Sequence, residues 1–326
     1  MTDLRAPFPY FGGKSRIAAD VWAALGDVQG YVEPFFGSGA VLFARPHKPG
    51  TETVNDKDGL LANVWRAIKH SPDETAAHAD WPVNEADLHA RHLWLVNARD
   101  DLTARLMADP EWHDPKAAGW WIWGACANIG GGWCSGDGPW RAVNGVLVNA
   151  GDAGRGINRQ LPHLSAGQGI NRKLPHISAG RGQFIGEWFA ALSDRLSNVR
   201  VACGNWDRIT GPSVTRAGGG VCGVFLDPPY DAARVDVYAT EDRVSADVRA
   251  WCLANGTDPA LRIVLAGYEG EHNALEQSGW RVKAWKARGG YGSQGNGRGR
   301  DNADKERLWL SPHCLESGRD LLSLCD

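Results

Sequence analysis

The stretch Gly30–Phe43, GYVEPFFGSGAVLF, reads as a short strand, a glycine-containing turn and the start of a helix. Residues 51–69, TETVNDKDGLLANVWRAIK, repeat the plan. A strand ends near Asn55–Asp56, and a helix carries Leu60, Leu61, Val64, Trp65 and Ile68 on one side. Apolar residues three and four apart mark one helical face. Two strand–helix units in series predict an α/β fold with a doubly wound, mainly parallel sheet.

Working outward, Ile17, Val21, Trp22 and Leu25 predict a helix within 14–25. Residues 81–110 read as helical, with Leu88, Leu95, Leu102 and Leu106 in step. Residues 111–182 are rich in Gly, Trp and Asn and show little periodicity. Sheet-like signals return with a helix bearing Phe189 and Leu192, then strands at 199–203, 221–226 and 262–268, with a helix around 243–254. The end reads as a hairpin, WRVKAWKA (280–287) and KERLWLSP (305–312), joined by a long loop. The expected organisation is an α/β domain of 1–80 and 184–326, interrupted by an inserted region, 81–183.

The 326 residues are 43% hydrophobic and 22% charged, which suits a globular chain with a full core. A net charge of -3 excludes a polycation, so nucleic acid would have to be met by local basic patches. Seven scattered cysteines, without a CxxC pair or zinc spacing, predict reduced thiols and no metal site. The start lacks a signal-peptide core, and the uncharged run 117–136 is broken by glycines, so neither secretion nor a membrane span is expected. These features predict a cytoplasmic protein.

Three local patterns carry chemistry. The glycines of EPFFGSG (33–39) let a backbone turn sharply beside a ligand, although an ordinary tight βα turn would look the same. The pattern is not GxGxxG, which argues against a standard dinucleotide fingerprint, and no Walker lysine follows. Asp56, at the next strand tip, suits ribose hydroxyls, but Asp56 or Asp58 would equally serve as a helix N-cap. In VFLDPPYD (224–231) the strand must stop before Pro228 and Pro229, which cannot donate to a ladder. That leaves Asp227 and proline carbonyls as rigid acceptors beside the flat face of Tyr230, a set suited to a planar group bearing an NH2.

DPPY at 227–230 resembles the catalytic motif of the amino-group DNA methyltransferases that use S-adenosyl-L-methionine. The motif order is similar to the alpha group, the D12 class of bacterial and phage adenine-N6 methylases. FPYFGGKSRI (8–17) resembles its N-terminal motif, YVEPFFGSGAVLF (31–43) its methionine-binding loop and VNDKDGLLANVW (54–65) its acidic ribose-binding strand. VACGNWDRI (201–209) precedes DPPY, and GGYGSQGNGRGRDNADKERLWLSP (289–312) resembles the late loop that closes over a flipped base. The resemblance implies a Rossmann-like fold and methyl transfer to N6 of a flipped adenine in double-stranded DNA. Asp227, Pro228, Pro229 and Tyr230 would be catalytic. Tyr10, Gly12, Gly13, Lys14, Glu33, Pro34, Phe35, Gly37, Ser38, Gly39, Asp56, Asp207 and Asp227 would line the cofactor. Lys14 would meet the methionine carboxylate, and Asp207 the adenine ring. Cytosine-N4 methylation, RNA methylation and a catalytically silent DNA-binding relative are the alternatives.

Positive charge is local. Between 141 and 182 there are six Arg or Lys against one acid, and between 281 and 307 there are eight. Arg141, Arg155, Arg159, Arg172, Lys173, Arg288, Arg298 and Arg300 are therefore candidate DNA contacts. A 13-residue repeat, GINRQLPHLSAGQ (156–168) and GINRKLPHISAGR (169–181), presents Asn–Arg twice, chemistry that suits adenine and guanine edges. A structural duplication would serve equally well. Most tryptophans of 112–140 read as core, with Trp133, among glycines, expected to be the exposed one. The sequence leaves the oligomeric state open between monomer and weak dimer. No nuclease-like segment accompanies these motifs, which leads to the expectation of an orphan or phage-type modification enzyme.

Overall fold

A computed structural model describes residues 4–10, 14–128, 133–134, 140–143, 146–149, 181–229, 241–285 and 306–316. Side chains of 140–143, 146–149, 181–184 and 241–243 are outside that description. Gly12, Gly13, Tyr230, Arg155, Arg159, Arg172, Lys173, Arg288, Arg298, Arg300, both copies of the repeat and the side chain of Arg141 therefore lie outside the described residues.

The order of elements is α1 (Ala18–Leu25), β1 (Gly30–Glu33), α2 (Ala40–Phe43), β2 (Thr51–Asp56), α3 (Gly59–His70), α4 (Pro72–Ala79), α5 (Glu85–Ala108) and α6 (Pro115–Ala127). A small antiparallel hairpin follows, β3 (Trp140–Val143) with β4 (Val146–Asn149). Then come α7 (Arg181–Leu196), β5 (Val199–Cys203), a 3-10 turn (Trp206–Ile209), α8 (Pro212–Thr215) and β6 (Cys222–Leu226). The chain continues through α9 (Glu241–Asn255), β7 (Leu261–Tyr268), α10 (Asn273–Glu276), β8 (Arg281–Ala284) and β9 (Glu306–Leu310). Seven strands form one sheet in the order β5-β2-β1-β6-β7-β9-β8. The pairs β1–β2, β1–β6 and β6–β7 are parallel, whereas β9 is antiparallel to both β7 and β8. This is the expected Rossmann-like α/β architecture. The winding reverses between β1 and β6, which is where a doubly wound sheet opens a crevice beyond its strand ends.

The chain divides into two compact units, Met1–Tyr10 with Asp56–Asn205 and Phe11–Asn55 with Trp206–Asp326. In the second unit, β6 is buried at every residue, the near-continuous apolar run that a strand covered on both faces requires. Ile17, Val21, Trp22 and Leu25 are buried along α1, and Ile263, Val264 and Leu265 along β7. Each such side chain contributes about 1.5–3 kcal/mol on leaving water. At the starting end of the strands, Arg45 and Glu52 pair at 3.0 Å with both side chains 1% exposed. Arg45 also donates to the Val28 carbonyl at 2.5 Å and lies over the Trp22 ring.

In the first unit, every α3 residue from Gly59 to Ile68 is buried. Arg66, inside that helix, is matched by carbonyls: Nε donates to Val201 at 2.9 Å, and Nη1 to Leu106 at 3.0 Å and Asp109 at 2.8 Å. The guanidinium thus satisfies carbonyls at the end of α5 and one on the edge strand β5. Trp120, Trp121 and Trp123 lie on α6, a helix started by the Asp114 side chain accepting from Ala117 N at 2.8 Å. One expectation needs correction. Trp133 is not the exposed tryptophan. Its ring covers Gly124, where an added Cβ would come within 1.8 Å, and its Nε1 donates to the Trp121 carbonyl at 3.0 Å. Among the described residues Trp81, 47% exposed, is the open tryptophan.

Candidate active site

The crevice ends of β1 and β6 carry the chemistry. Glu33 ends β1 with a buried carboxylate that accepts from the Tyr31 hydroxyl at 2.8 Å. Burial pushes the Glu33 carboxyl well above the ordinary carboxylate range; the Tyr31 bond opposes this, and Asp227 adds to it. Burial, then Glu33, raises the Tyr31 hydroxyl as well.

The loop that follows is held from β2. Asn55 Nδ2 donates to the Pro34 carbonyl at 3.1 Å, and the Asn55 carbonyl accepts from Phe36 N at 3.0 Å. Gly37 and Gly39 take φ of 51° and 66°, left-handed values that a side chain would strain. An added Cβ on Gly39 would also meet the Phe36 and Phe43 rings at 2.7 and 2.8 Å. The turn therefore needs its glycines for conformation and for space. Ser38 sits between them, half-buried.

Asp227 follows β6 directly, with its side chain 20% exposed; Pro228 is buried and Pro229 exposed. The partner of Asp227 is Lys14, whose Nζ stands 3.2 Å from Oδ1 with the lysine side chain 9% exposed. Lys14 Nζ is also 3.8 Å from Glu306 Oε2 and 5.9 Å above the Trp285 ring. Lys14 is thus no solvated helix-start lysine. The Glu306 carboxyl is raised by burial; Lys14 opposes that rise and Asp227 adds to it.

Nearby in sequence to β6, the 3-10 turn presents Trp206, whose ring lies 6.4 Å from Phe35 at an interplanar angle of 22°. Asp207 is exposed beside it, and its carbonyl accepts from Thr210 N at 3.2 Å. Lys14, Glu33, Pro34, Phe35, Gly37, Ser38, Gly39, Asp207, Asp227, Pro228 and Pro229 all belong to one compact unit. Tyr10 and Asp56 belong to the other. Tyr10 is 43% exposed. Asp56 Oδ1 accepts from Asp58 N at 2.9 Å, while the Asp58 side chain caps α3 through Leu60 N at 3.0 Å. The cap is therefore Asp58.

Sequence reading missed Asn55 and Glu306. Asn55 was visible as the polar residue before Asp56 at a strand tip. Glu306 opens β9 in a run, ERLWL, that reads as an ordinary strand, so no local signal marks it.

Among the described residues, no group of three or more His, Cys, Asp and Glu side chains is arranged to hold a metal, and no helix is long and apolar enough to cross a membrane. No curated protein matches the chain. Residues 10–91, which carry Lys14, the glycine turn and the β2 tip, match the family model described as D12 class N6 adenine-specific DNA methyltransferase. Together with a seven-stranded, mostly parallel sheet ending in an antiparallel pair, that match makes the chain similar in fold and in its N-terminal motifs to the D12 class of N6 adenine-specific DNA methyltransferases.

Proposed function

We propose that the chain transfers the methyl group of S-adenosyl-L-methionine to the exocyclic N6 of an adenine flipped out of double-stranded DNA. The observation that supports this most is Asp227, followed by two prolines, at the end of β6 and beside the β1 loop. Residues 10–91, ahead of it in the chain, match the D12 class model. The N6 lone pair of adenine is delocalised into the ring. Asp227 and the Pro228 carbonyl accept its N–H bonds, hold the nitrogen in place and favour the pyramidal geometry that frees the lone pair. As the nitrogen is methylated, Asp227 would take up its displaced proton along the same hydrogen bond. Tyr230 stacks on the flipped base.

The residues present fit the cofactor. The near-parallel Phe35 and Trp206 rings, with exposed Asp207 beside them, suit an adenine ring. The Gly37–Gly39 turn leaves backbone where a Cβ has no room. When bound, the cofactor supplies an electrophilic methyl on sulfur. Residues 81–183 serve as the recognition region. Arg141, Arg155, Arg159, Arg172, Lys173, Arg288, Arg298 and Arg300 contact DNA.

Labelled S-adenosyl-L-methionine, duplex DNA and nucleoside digestion test this reading. N6-methyladenine is expected from the wild type, and about a thousandfold less from Asp227→Ala. N4-methylcytosine alone, or no transfer to any duplex by folded protein, would overturn it.

A further inference from the structure

Between α4, α5 and α6 of the first unit lies a cavity of about 470 Å3, within the size range of small-ligand pockets. Three indoles line it: Trp81 on the link from α4 to α5, Trp94 on α5 and Trp120 on α6. Asp87 and Arg91, one turn apart on α5, line it too. Trp81 is the open ring, yet it is fixed in place. Its Nε1 donates to Asp87 Oδ2 at 2.7 Å, and the Arg91 guanidinium lies 5.3 Å from its centroid. Arg91 is 7% exposed and also faces the Trp120 and Trp123 rings, at 5.1 and 4.3 Å. Among the described residues, its buried Nη1 finds no hydrogen-bond acceptor. Such a donor is unfavourable until an acceptor arrives. Cation–π packing accounts for a guanidinium between rings. It leaves the open indole, the cavity and the unmatched N–H without a purpose.

The chemistry of the walls narrows the occupant. A cation, the usual guest of an indole cage, is repelled by Arg91. An aliphatic guest would leave the Nη1 donor unmatched. A flat ring with both an acceptor and a donor on its edge suits all of them: it stacks on an indole, accepts from Arg91 and donates to Asp87. Hydrogen bonds from Asn84 and Trp81 hold the Asp87 carboxyl below its usual range, so it is an acceptor at neutral pH. Every nucleobase has such an edge. Lys116 Nζ stands 5.0 and 4.6 Å from the Trp94 and Trp120 centroids, a cation suited to a backbone phosphate. We propose that this cavity takes one unstacked base of a single-stranded nucleic acid, stacked on Trp81 with its edge on Arg91 and its phosphate towards Lys116. The proposal goes beyond methyl transfer and does not rest on it: every residue it uses lies in the first compact unit, whereas Asp227 lies in the second.

Two measurements on the full chain test it, and neither needs methyl transfer. In the first, the protein carries fluorotryptophan, and its Trp81 fluorine resonance is assigned with Trp81→Phe. A single-stranded hexanucleotide should shift that resonance. A hexamer of abasic spacers on the same phosphate backbone should not. In the second, fluorescence anisotropy follows the labelled strands. Trp81→Ala should weaken binding of the hexanucleotide by about fivefold to a hundredfold, leave the abasic strand unchanged and keep the urea midpoint near wild type. A Trp81 resonance indifferent to the hexanucleotide would overturn the proposal. So would an equal loss of both strands in Trp81→Ala, which would mean that charge alone is felt. A nucleoside monophosphate that binds as tightly as the hexanucleotide would assign the cavity to a free nucleotide and overturn the strand as its occupant.

Discussion

The two ends of β1 and its neighbours carry buried ions arranged in opposite ways. At the starting end, Arg45 and Glu52 match one charge with one charge, and a carbonyl and an indole face take up more of the guanidinium. At the finishing end, Lys14 faces Asp227 and Glu306 at once, with the raised Glu33 carboxyl close enough to feel Asp227. The first arrangement pairs one cation with one anion. The second sets one ammonium between two carboxylates. A fold can hold both because the costs differ. A balanced pair is tolerated inside, whereas surplus carboxylates keep their protons more tightly and wait for a donor.

The comparison can be broken by substitution. Asp227→Ala should show the largest effect, a drop of about a thousandfold in methyl transfer, with the urea midpoint near wild type. A rate within a few-fold of wild type would mean that the finishing end is not the reacting end. Arg45→Met should instead act on stability. Stranding a buried Glu52 is expected to cost about 3–5 kcal/mol, whereas Arg45→Met with Glu52→Leu should recover most of it. Denaturant unfolding of the two variants checks this, and equal losses would show that the pair is not the source. Gly39→Ala should cost about 1–3 kcal/mol for the left-handed backbone and weaken cofactor binding, read by calorimetry.

The smallest effect is a slope. Glu306 has a folded-state carboxyl raised above its unfolded value, so the folded chain binds the extra proton. Its contribution to stability is therefore largest at low pH and falls as pH climbs from the ordinary glutamate range through the raised one. Glu306→Gln should flatten that part of the stability profile. A wild-type slope of the opposite sign in this window would contradict the burial of an unbalanced acid.

Much of this was legible in residue order. Strand–turn–helix units show as an apolar run, glycines and a face of leucines, and β6 shows its end because prolines cannot donate. Other elements carried weaker signals. The apolar residues of α4, PDETAAHA, are alanines, which give little period. In α6 the buried positions Ala117, Ala118, Trp121, Ile122 and Trp123 leave no clear polar face. The β3–β4 hairpin had a signal that went unread, Asn144–Gly145 between two short apolar runs. The meeting of Lys14 with Asp227 and Glu306 had none, because three distant strand and helix ends converge only when the sheet forms. Trp133 teaches the same lesson in reverse: its glycine neighbours suggested exposure, but Gly124 on another element makes room for its ring.

One contact at Lys14 bears on timing. Its carbonyl accepts from Ile17 N and Ala18 N, both at 3.1 Å, so its backbone is tied into the first turn of α1. That helix is locked in turn by the Trp22 indole, which donates to the Val41 carbonyl at 2.7 Å. Passing the ammonium from one acid to another therefore asks only for rotation about side-chain bonds. Such motions run far ahead of the microsecond-to-millisecond movements of loops and lids. Charge at the finishing end can accordingly be rearranged within a single encounter with substrate, without waiting for the backbone.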